Sequence, residues 1–509
     1  MTAVPAPPPG RVFYLIPALA RWITVPLAVA VVLASAVLKL FIAGDQPLWL
    51  DETFTAAIVS QPRFADFARQ VYLDANAPLY YLIAHLWTQL FGLSDVALRL
   101  PSALFGIVTP LLVGFSDVPG LSRRNRWVWA AMLALWIPGV WYAGDARCYT
   151  LLLLLSALQT IAFVRLLKGP NLERAAIWCG VSALAILTHY YAGLLALIEG
   201  LIYLAVARKA ALRTWPAALL FLPLAAWLAI HIPRVLVFSK PGVAWYNLVR
   251  PDQFWSEASF LLGADDTAYA LAGIPVVTLV VVLIWRPRAR PFPQRPGLEA
   301  WLAVGAAMLA AGIILGLGML RPSFVDRYLT PSIPGVLLGV AIAAGWLGRR
   351  WPLAPAAAIL AFALTTAPWA QKELRSGYRF YNWQAASTDL MRGRPERLVF
   401  FWDHPATPQF EPEQLEAAGG FFFKRAGAPV EVRAIQAGGQ VDANPLILAE
   451  ATPRRTAVIW AYDRGVRGTT ARIHPPNLQA LDQNLHCRNY SRGSVGVVAC
   501  DRFDSVRTR

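Results

Sequence analysis

Charge is scarce in this chain: 15% of its 509 residues are Asp, Glu, Lys or Arg, while 57% are hydrophobic and the mean hydropathy is +0.47. That scarcity excludes an ordinary soluble protein. Repeated apolar runs approach the length of about 20 residues that crosses a bilayer, so the chain reads as a polytopic membrane protein. No small-residue cleavage site follows a short apolar core in the Pro-rich start, Met1 to Gly10, so the first span is expected to be retained rather than removed as a signal peptide. There is no solenoid-type repeat and no further low-complexity segment. Nor is there a paired half-repeat of the kind that marks many secondary transporters.

Basic residues are the exception to the scarcity, with a net charge of +16. They sit in short loops between apolar runs: Arg123-Arg124-Asn125-Arg126, residues 165–174, Arg208-Lys209 with Arg213, residues 286–295, and Arg349-Arg350. Their recurrence at every second loop marks cytoplasmic connections. A nucleic-acid partner is excluded, because it would call for a basic face with aromatics on a soluble module.

The apolar pattern predicts about eleven spans, at 21–43, 98–118, 127–143, 149–167, 174–190, 191–207, 215–231, 267–285, 299–318, 328–346 and 353–370. The run from Leu79 to Leu93 is too short to cross and is expected to be a re-entrant or interfacial helix. With that parity, Asp51-Glu52, Asp74, Asp145 to Arg147, His189-Tyr190-Tyr191, the loop 231–266 and Asp326-Arg327-Tyr328 all fall on the non-cytoplasmic side. The positive-inside assignment used only the other loops, so this convergence is an independent check on it.

From Gln371 the composition becomes that of a soluble protein, with β-rich runs at 397–402, 430–435, 456–462 and 495–499. The expected organisation is a membrane domain, 1–370, with outer loops 44–97 and 231–266, followed by a small α/β domain, 371–509, outside the cytoplasm. Cys487 and Cys500 flank a hairpin through Ser491-Arg492-Gly493, where a disulfide is expected in an oxidising compartment. Cys148 and Cys179 lie in spans as small packing residues.

Two adjacent carboxylates, Asp51 and Glu52, follow the first span, where charge is costly unless it serves a function. Further polar motifs follow in order: Ala77-Pro78-Leu79-Tyr80-Tyr81 with His85 and Trp87, Ala97-Leu98-Arg99-Leu100-Pro101-Ser102, Ala146-Arg147-Cys148-Tyr149, Thr188-His189-Tyr190-Tyr191, and Arg327-Tyr328-Leu329. In order and spacing they resemble the bacterial GT-C glycosyltransferases. More narrowly, they resemble the group that includes protein O-mannosyltransferases, the aminoarabinose transferase of lipid A, and the rhizobial lipopolysaccharide glycosyltransferases.

The resemblance covers residues 20 to 340. It implies a mostly α polytopic fold of GT-C type in a bacterial inner membrane, with the active site and C-terminal domain periplasmic. It also implies a sugar donor carried on a polyprenyl phosphate, and an inverting transfer to a lipid A, lipopolysaccharide, envelope-glycan or protein acceptor. A transporter or flippase of a lipid-linked sugar is the alternative. It fits less well, because the ionisable residues gather at one membrane face rather than at the midplane. An O-antigen ligase or polymerase would instead show a His/Arg-rich outer loop.

Direct displacement at an anomeric carbon needs a base on the acceptor hydroxyl and cationic or hydrogen-bonding groups on the departing phosphate. Asp51 is assigned as the base, with Glu52 as positioner or alternate; capping of the following helix is the competing reading. Arg147 is assigned to the donor phosphate and Asp145 to Arg147 or the acceptor, against a plain ion pair. Arg327 and Tyr328 match the family's donor-phosphate contacts, although an interfacial Tyr beside a snorkelling Arg has the same pattern. His189 and Tyr190 are assigned to the same phosphate, while His85 and Trp87 read as packing or interface anchors. Asp74 and Asn76 are placed in the substrate loop, as is Lys240 in the long outer loop, which resembles a lid. Many relatives carry a His or an acidic residue where this chain has Asn76, a poor ligand. A divalent cation is left open and no metal site is assigned.

Overall fold

The structure is a computed structural model. It describes residues 11–44, 47–238, 248–263, 297–321, 324–376, 383–403, 410–428, 430–437, 455–461, 485–492 and 495–502. The membrane part runs through α1 (Arg11–Gly44), α2 (Leu50–Val59), α3 (Phe64–Leu73), α4 (Leu79–Phe91), α5 (Asp95–Phe115), α6 (Arg123–Leu135), α7 (Ile137–Ala143), α8 (Tyr149–Lys168), α9 (Leu172–Thr188) and α10 (Ala192–Ala207). It continues with α11 (Lys209–Thr214), a 3₁₀ turn (Trp215–Phe221), α12 (Leu222–Phe238), α13 (Phe254–Ser259), α14 (Leu298–Leu320), α15 (Ile333–Leu347) and α16 (Ala354–Ser376).

Among the described residues, 6 helical segments are long and apolar enough to cross a membrane: 23–44, 95–115, 149–168, 209–237, 298–320 and 326–347. Helices stand at ten of the eleven expected spans, and the other, 267–285, lies outside the described residues. One expected span, 127–143, is two helices. Pro138 in the first turn of α7 has no N–H to give and crowds the preceding turn, so the chain breaks at Trp136. The short run from Leu79 forms α4, 13 residues long, too short to cross. His231, expected to open the outer loop, lies inside α12, which continues to Phe238; Lys240 lies outside the described residues.

The bundle packs by close backbone approach. A Cβ built on Gly335 of α15 would lie 2.4 Å from the Cβ of Ala307 on α14, so only glycine fits this crossing. Buried donors find carbonyls in neighbouring helices: Trp129 Nε1 donates to Pro334 O at 2.9 Å, and Ser35 Oγ to Ala134 O at 2.6 Å. Each such bond avoids the cost of an orphaned polar group in an apolar core.

Beyond α17 (Trp383–Arg392), the C-terminal domain holds β1 (Arg397–Asp403), α18 (Pro412–Arg425), β2 (Glu431–Ala437), β3 (Arg455–Ala461), β4 (Leu485–Arg492) and β5 (Val495–Arg502). All four β-rich runs are strands, and β4 is a fifth. The sheet order is β2-β1-β3-β5-β4, with β1 parallel to β2 and β3, and β5 antiparallel to β3 and β4. The register sets Cys487 opposite Cys500. Helix α18 and the two residues before it lie against α2, α3 and α12: Phe410 stacks on Phe54 of α2 at 5.2 Å, Glu413 pairs with Arg69 of α3 at 2.7 Å, and Glu411 with Arg234 of α12 at 3.3 Å. The C-terminal domain therefore rests on the helix that carries Asp51 and Glu52.

Candidate active site

Helix α2 begins at Leu50, which puts Asp51 and Glu52 in its first turn, where negative charge opposes the helix dipole. From there the two carboxylates diverge. Glu52 is fully buried and both its oxygens are occupied. Oε1 accepts from Arg99 Nε at 2.6 Å and from the Ala146 amide at 2.8 Å; Oε2 accepts from Arg99 Nη2 at 2.5 Å and from the Trp49 amide at 3.1 Å. Arg99 also donates to Pro47 O at 2.9 Å. Glu52 thus ties α2, α5 and the turn before α8 into one rigid corner. Removing one partner of a buried pair of this kind costs about 3–5 kcal/mol.

Asp145 belongs to the same corner. It is buried, and its Oδ1 accepts from Trp49 Nε1 at 2.6 Å, which fixes the segment leading into α2. Ser102 Oγ donates to Arg147 O at 3.0 Å and pairs with Tyr80 OH at 2.8 Å, holding the backbone of the Asp145–Arg147 turn from beneath. Burial pushes the Tyr80 phenol well up, so it stays protonated and serves as a donor.

Asp51 is different: its side chain is 28% exposed, against 0% for Glu52. Arg147 Nη2 lies 3.8 Å from Asp51 Oδ2, and Nη1 lies 3.5 Å from Asp51 O and 3.4 Å from Thr55 Oγ1. Burial works against the Arg147 charge, but the anionic surroundings, Asp51 among them, hold the guanidinium well above the usual Arg range. Arg327 is the second cation in the electrostatic field of Asp51. Its guanidinium carbon sits 5.7 Å from the centroid of the Tyr149 ring.

An aromatic wall stands behind the two guanidinium groups. Ring centroids of His189 lie 5.0 Å from Tyr328, 5.8 Å from Tyr191 and 6.2 Å from Tyr149, while Tyr191 stacks on Tyr328 at 4.5 Å. Buried His189 Nδ1 and Arg147 Nε have no hydrogen-bond partner among the described residues, so polar capacity is left over at this wall.

The remaining expected residues form a brace. Asp74 accepts from the Ala75 amide and Asn76 Nδ2, both at 2.9 Å, and from the Tyr81 hydroxyl. Burial and Asp74 push the Tyr81 phenol well up. Tyr190 turns away from His189. Its hydroxyl lies 2.5 Å from His231 Nδ1 and accepts from Trp227 Nε1 at 2.9 Å. His231 Nε2 in turn reaches Asp74 O at 2.8 Å and Tyr72 O at 3.1 Å, which makes Nε2 the protonated nitrogen. His85 packs on Phe67 at 4.2 Å with Nδ1 2.9 Å from Val59 O, and Trp87 Nε1 donates to Ala97 O at 2.9 Å. Among the described residues no group of three or more His, Cys, Asp or Glu gathers to hold a metal, and the Asp74 carboxylate is already occupied.

The structure brings Asp51, Arg147, Arg327, Tyr328 and His189 together, sets Glu52 and Asp145 behind them, and puts Asp74, Asn76 and Tyr190 in the brace. Arg99 is a functional residue that the motifs alone do not assign, although a charged residue in an apolar span is itself a signal. His231 and Trp49 carried no comparable signal, because their partners are remote in sequence.

No protein-family model and no curated protein matches the chain. Among solved structures it is similar to ArnT from Cupriavidus metallidurans in two states. The apo state shares 15% identity at a TM-score of 0.56, over 92% of this chain and 97% of that one. The form bound to undecaprenyl phosphate shares 15% at a TM-score of 0.53, over the same shares of each chain. The chain therefore has the fold of ArnT.

Proposed function

We propose that this protein is an inverting glycosyltransferase that moves a sugar from a polyprenyl-phosphate donor to an acceptor at the outer face of the membrane. The observation that carries this reading is one partly open carboxylate, Asp51, with two guanidinium groups near it, that of buried Arg147 and that of half-buried Arg327. A base and an anion cradle in one cleft are what displacement of a phosphate at an anomeric carbon requires. The undecaprenyl phosphate in the ArnT structure supports a donor of this kind.

In this scheme Asp51 takes the proton of the acceptor hydroxyl as its oxygen attacks the anomeric carbon. The bond to the phosphate oxygen breaks, and the phosphate leaves with the electron pair. Arg147 and Arg327 neutralise the charge that grows on it, which stabilises the transition state more than the ground state. Tyr328, His189, Tyr191 and Tyr149 form the wall that shapes the donor site. Glu52, Arg99 and Asp145 act by holding the corner, and Asp74, Asn76 and Tyr190 by holding the neighbouring loop. Lys240 is kept as a substrate-loop residue. The acceptor is a glycan, lipid or protein of a bacterial cell envelope, with the site and the C-terminal domain on the periplasmic side of the inner membrane. In that compartment Cys487 and Cys500, opposed in register, form a disulfide.

The test compares envelope glycans and glycolipids of a strain lacking this protein with strains carrying the wild type or Asp51→Asn. Loss of one defined sugar, restored by the wild type and not by the variant, supports transfer. Unchanged glycans with a lipid-linked intermediate redistributed across the membrane would replace this reading with a flippase.

A further inference from the structure

A cavity of about 930 Å³ opens where the α4–α5 turn meets the C-terminal domain, lined by Gln89, Ser94, Asp95, Val96, Lys424 and Arg425 among others. Its volume is that of a site for a molecule of lipid-headgroup size or larger. Ser60, at its edge, lies nine residues after Asp51, about 14 Å along α2 at about 1.5 Å per residue, so this is a separate site from the Asp51 cleft.

Three features define the occupant. The first is position: Asp95 opens α5, a membrane-crossing helix, so the cavity lies at a membrane boundary. The second is an apolar ramp. Helix α4 exposes Leu82, Leu86 and Leu90 at four-residue spacing along one face; Leu90, 78% exposed, is followed by exposed Phe91, and exposed Val96 lines the cavity. The third is charge. Arg425 pairs with Asp95 and donates to Leu93 O at 3.2 Å, and the Gln384 amide fits between Asp95 and Arg425, so those two charges cancel. Lys424 has no carboxylate partner among the described residues, which leaves the cavity one excess positive charge.

A polar cavity with one spare cation, reached from the bilayer along exposed leucines, fits one ligand chemistry: a net-anionic headgroup on acyl chains. We propose that the cavity binds an anionic phospholipid of the leaflet on the C-terminal-domain side. Its phosphate faces Lys424, its headgroup hydroxyls face Gln89 and Ser94, and its chains lie along Leu90, Phe91 and Val96. The lipid wedges between the first outer loop and α18, and so ties the C-terminal domain to the membrane surface. This site does not depend on the glycosyl-transfer reading.

The test uses the full chain reconstituted in phosphatidylcholine vesicles containing a photoactivatable phosphatidylglycerol, with cross-links mapped by mass spectrometry. The wild type is expected to cross-link within residues 89–96. Lys424→Glu should reduce that cross-link at least about tenfold, and Lys424→Arg should keep it. Lys424 is exposed, and folding of each variant is checked by its thermal transition. Free glycerol 3-phosphate should fail to compete, since it lacks the chains. An equal cross-link in Lys424→Glu, cross-links only elsewhere, or competition by free glycerol 3-phosphate as good as that of phosphatidylglycerol would each overturn the proposal.

Discussion

The two sides of the first turn of α2 carry the same chemistry and opposite environments. On one side Glu52 is sealed among Arg99, Trp49 and Ala146 with every acceptor position in use. On the other, Asp51 is partly open, with Arg147 at 3.8 Å and Arg327 in its field. Successive residues on a helix point about 100° apart. A carboxylate with its lone pairs filled by buried donors is a structural member, whereas one left facing a cation-lined cleft has capacity for a substrate proton. The difference between base and scaffold here is one of satisfaction, not residue type.

The sharpest way to break the contrast is to remove each carboxylate in turn. Asp51→Asn should lower turnover by about 10²–10⁴-fold with the thermal transition and donor-lipid binding nearly unchanged. Glu52→Gln should do the reverse, costing about 3–5 kcal/mol of stability by leaving Arg99 buried without its anion. Thermal melts and yields of folded protein would show it first. Arg147→Ala and Arg327→Ala should each lower kcat/KM for the donor, and Arg147→Lys should recover only part of the loss, because one ammonium cannot reproduce a guanidinium fork. Steady-state kinetics at varied donor lipid would read that difference.

A smaller effect concerns Glu257 on α13, half-buried beside Asp326. Burial, with Asp326 adding to it, pushes its carboxyl from 4.5 up to about 7. The folded state therefore holds a proton that the unfolded chain releases, and stability falls as pH rises through the window from 4.5 to about 7. Glu257→Gln should flatten that fall, as melting temperatures measured across the window would show.

Much of this molecule was legible in its sequence. The first span, the short α4, four of the five strands and the clustering of Asp51, Arg147, Arg327 and His189 follow from periodicity, loop charge and motif order. The break at Trp136 had a visible cause in Pro138, set against an apolar pattern that ran straight through it. What could not be read were the long-range choices. Glu52 is buried because Arg99, 47 positions later, comes to meet it. Tyr190 and Tyr191 are neighbours, yet one joins His231 in bracing the Asp74 loop and the other stacks on Tyr328. Such divergence is set by which helix arrives on which side, and local pattern does not contain it.

The most direct test of the account is a single-turnover measurement of sugar transfer by Asp51→Asn and Glu52→Gln, each normalised to its folded fraction. The account predicts that folded Glu52→Gln retains the chemical step and that Asp51→Asn, though folded and donor-bound, does not. Full chemistry in Asp51→Asn, with loss confined to folded Glu52→Gln, would contradict it.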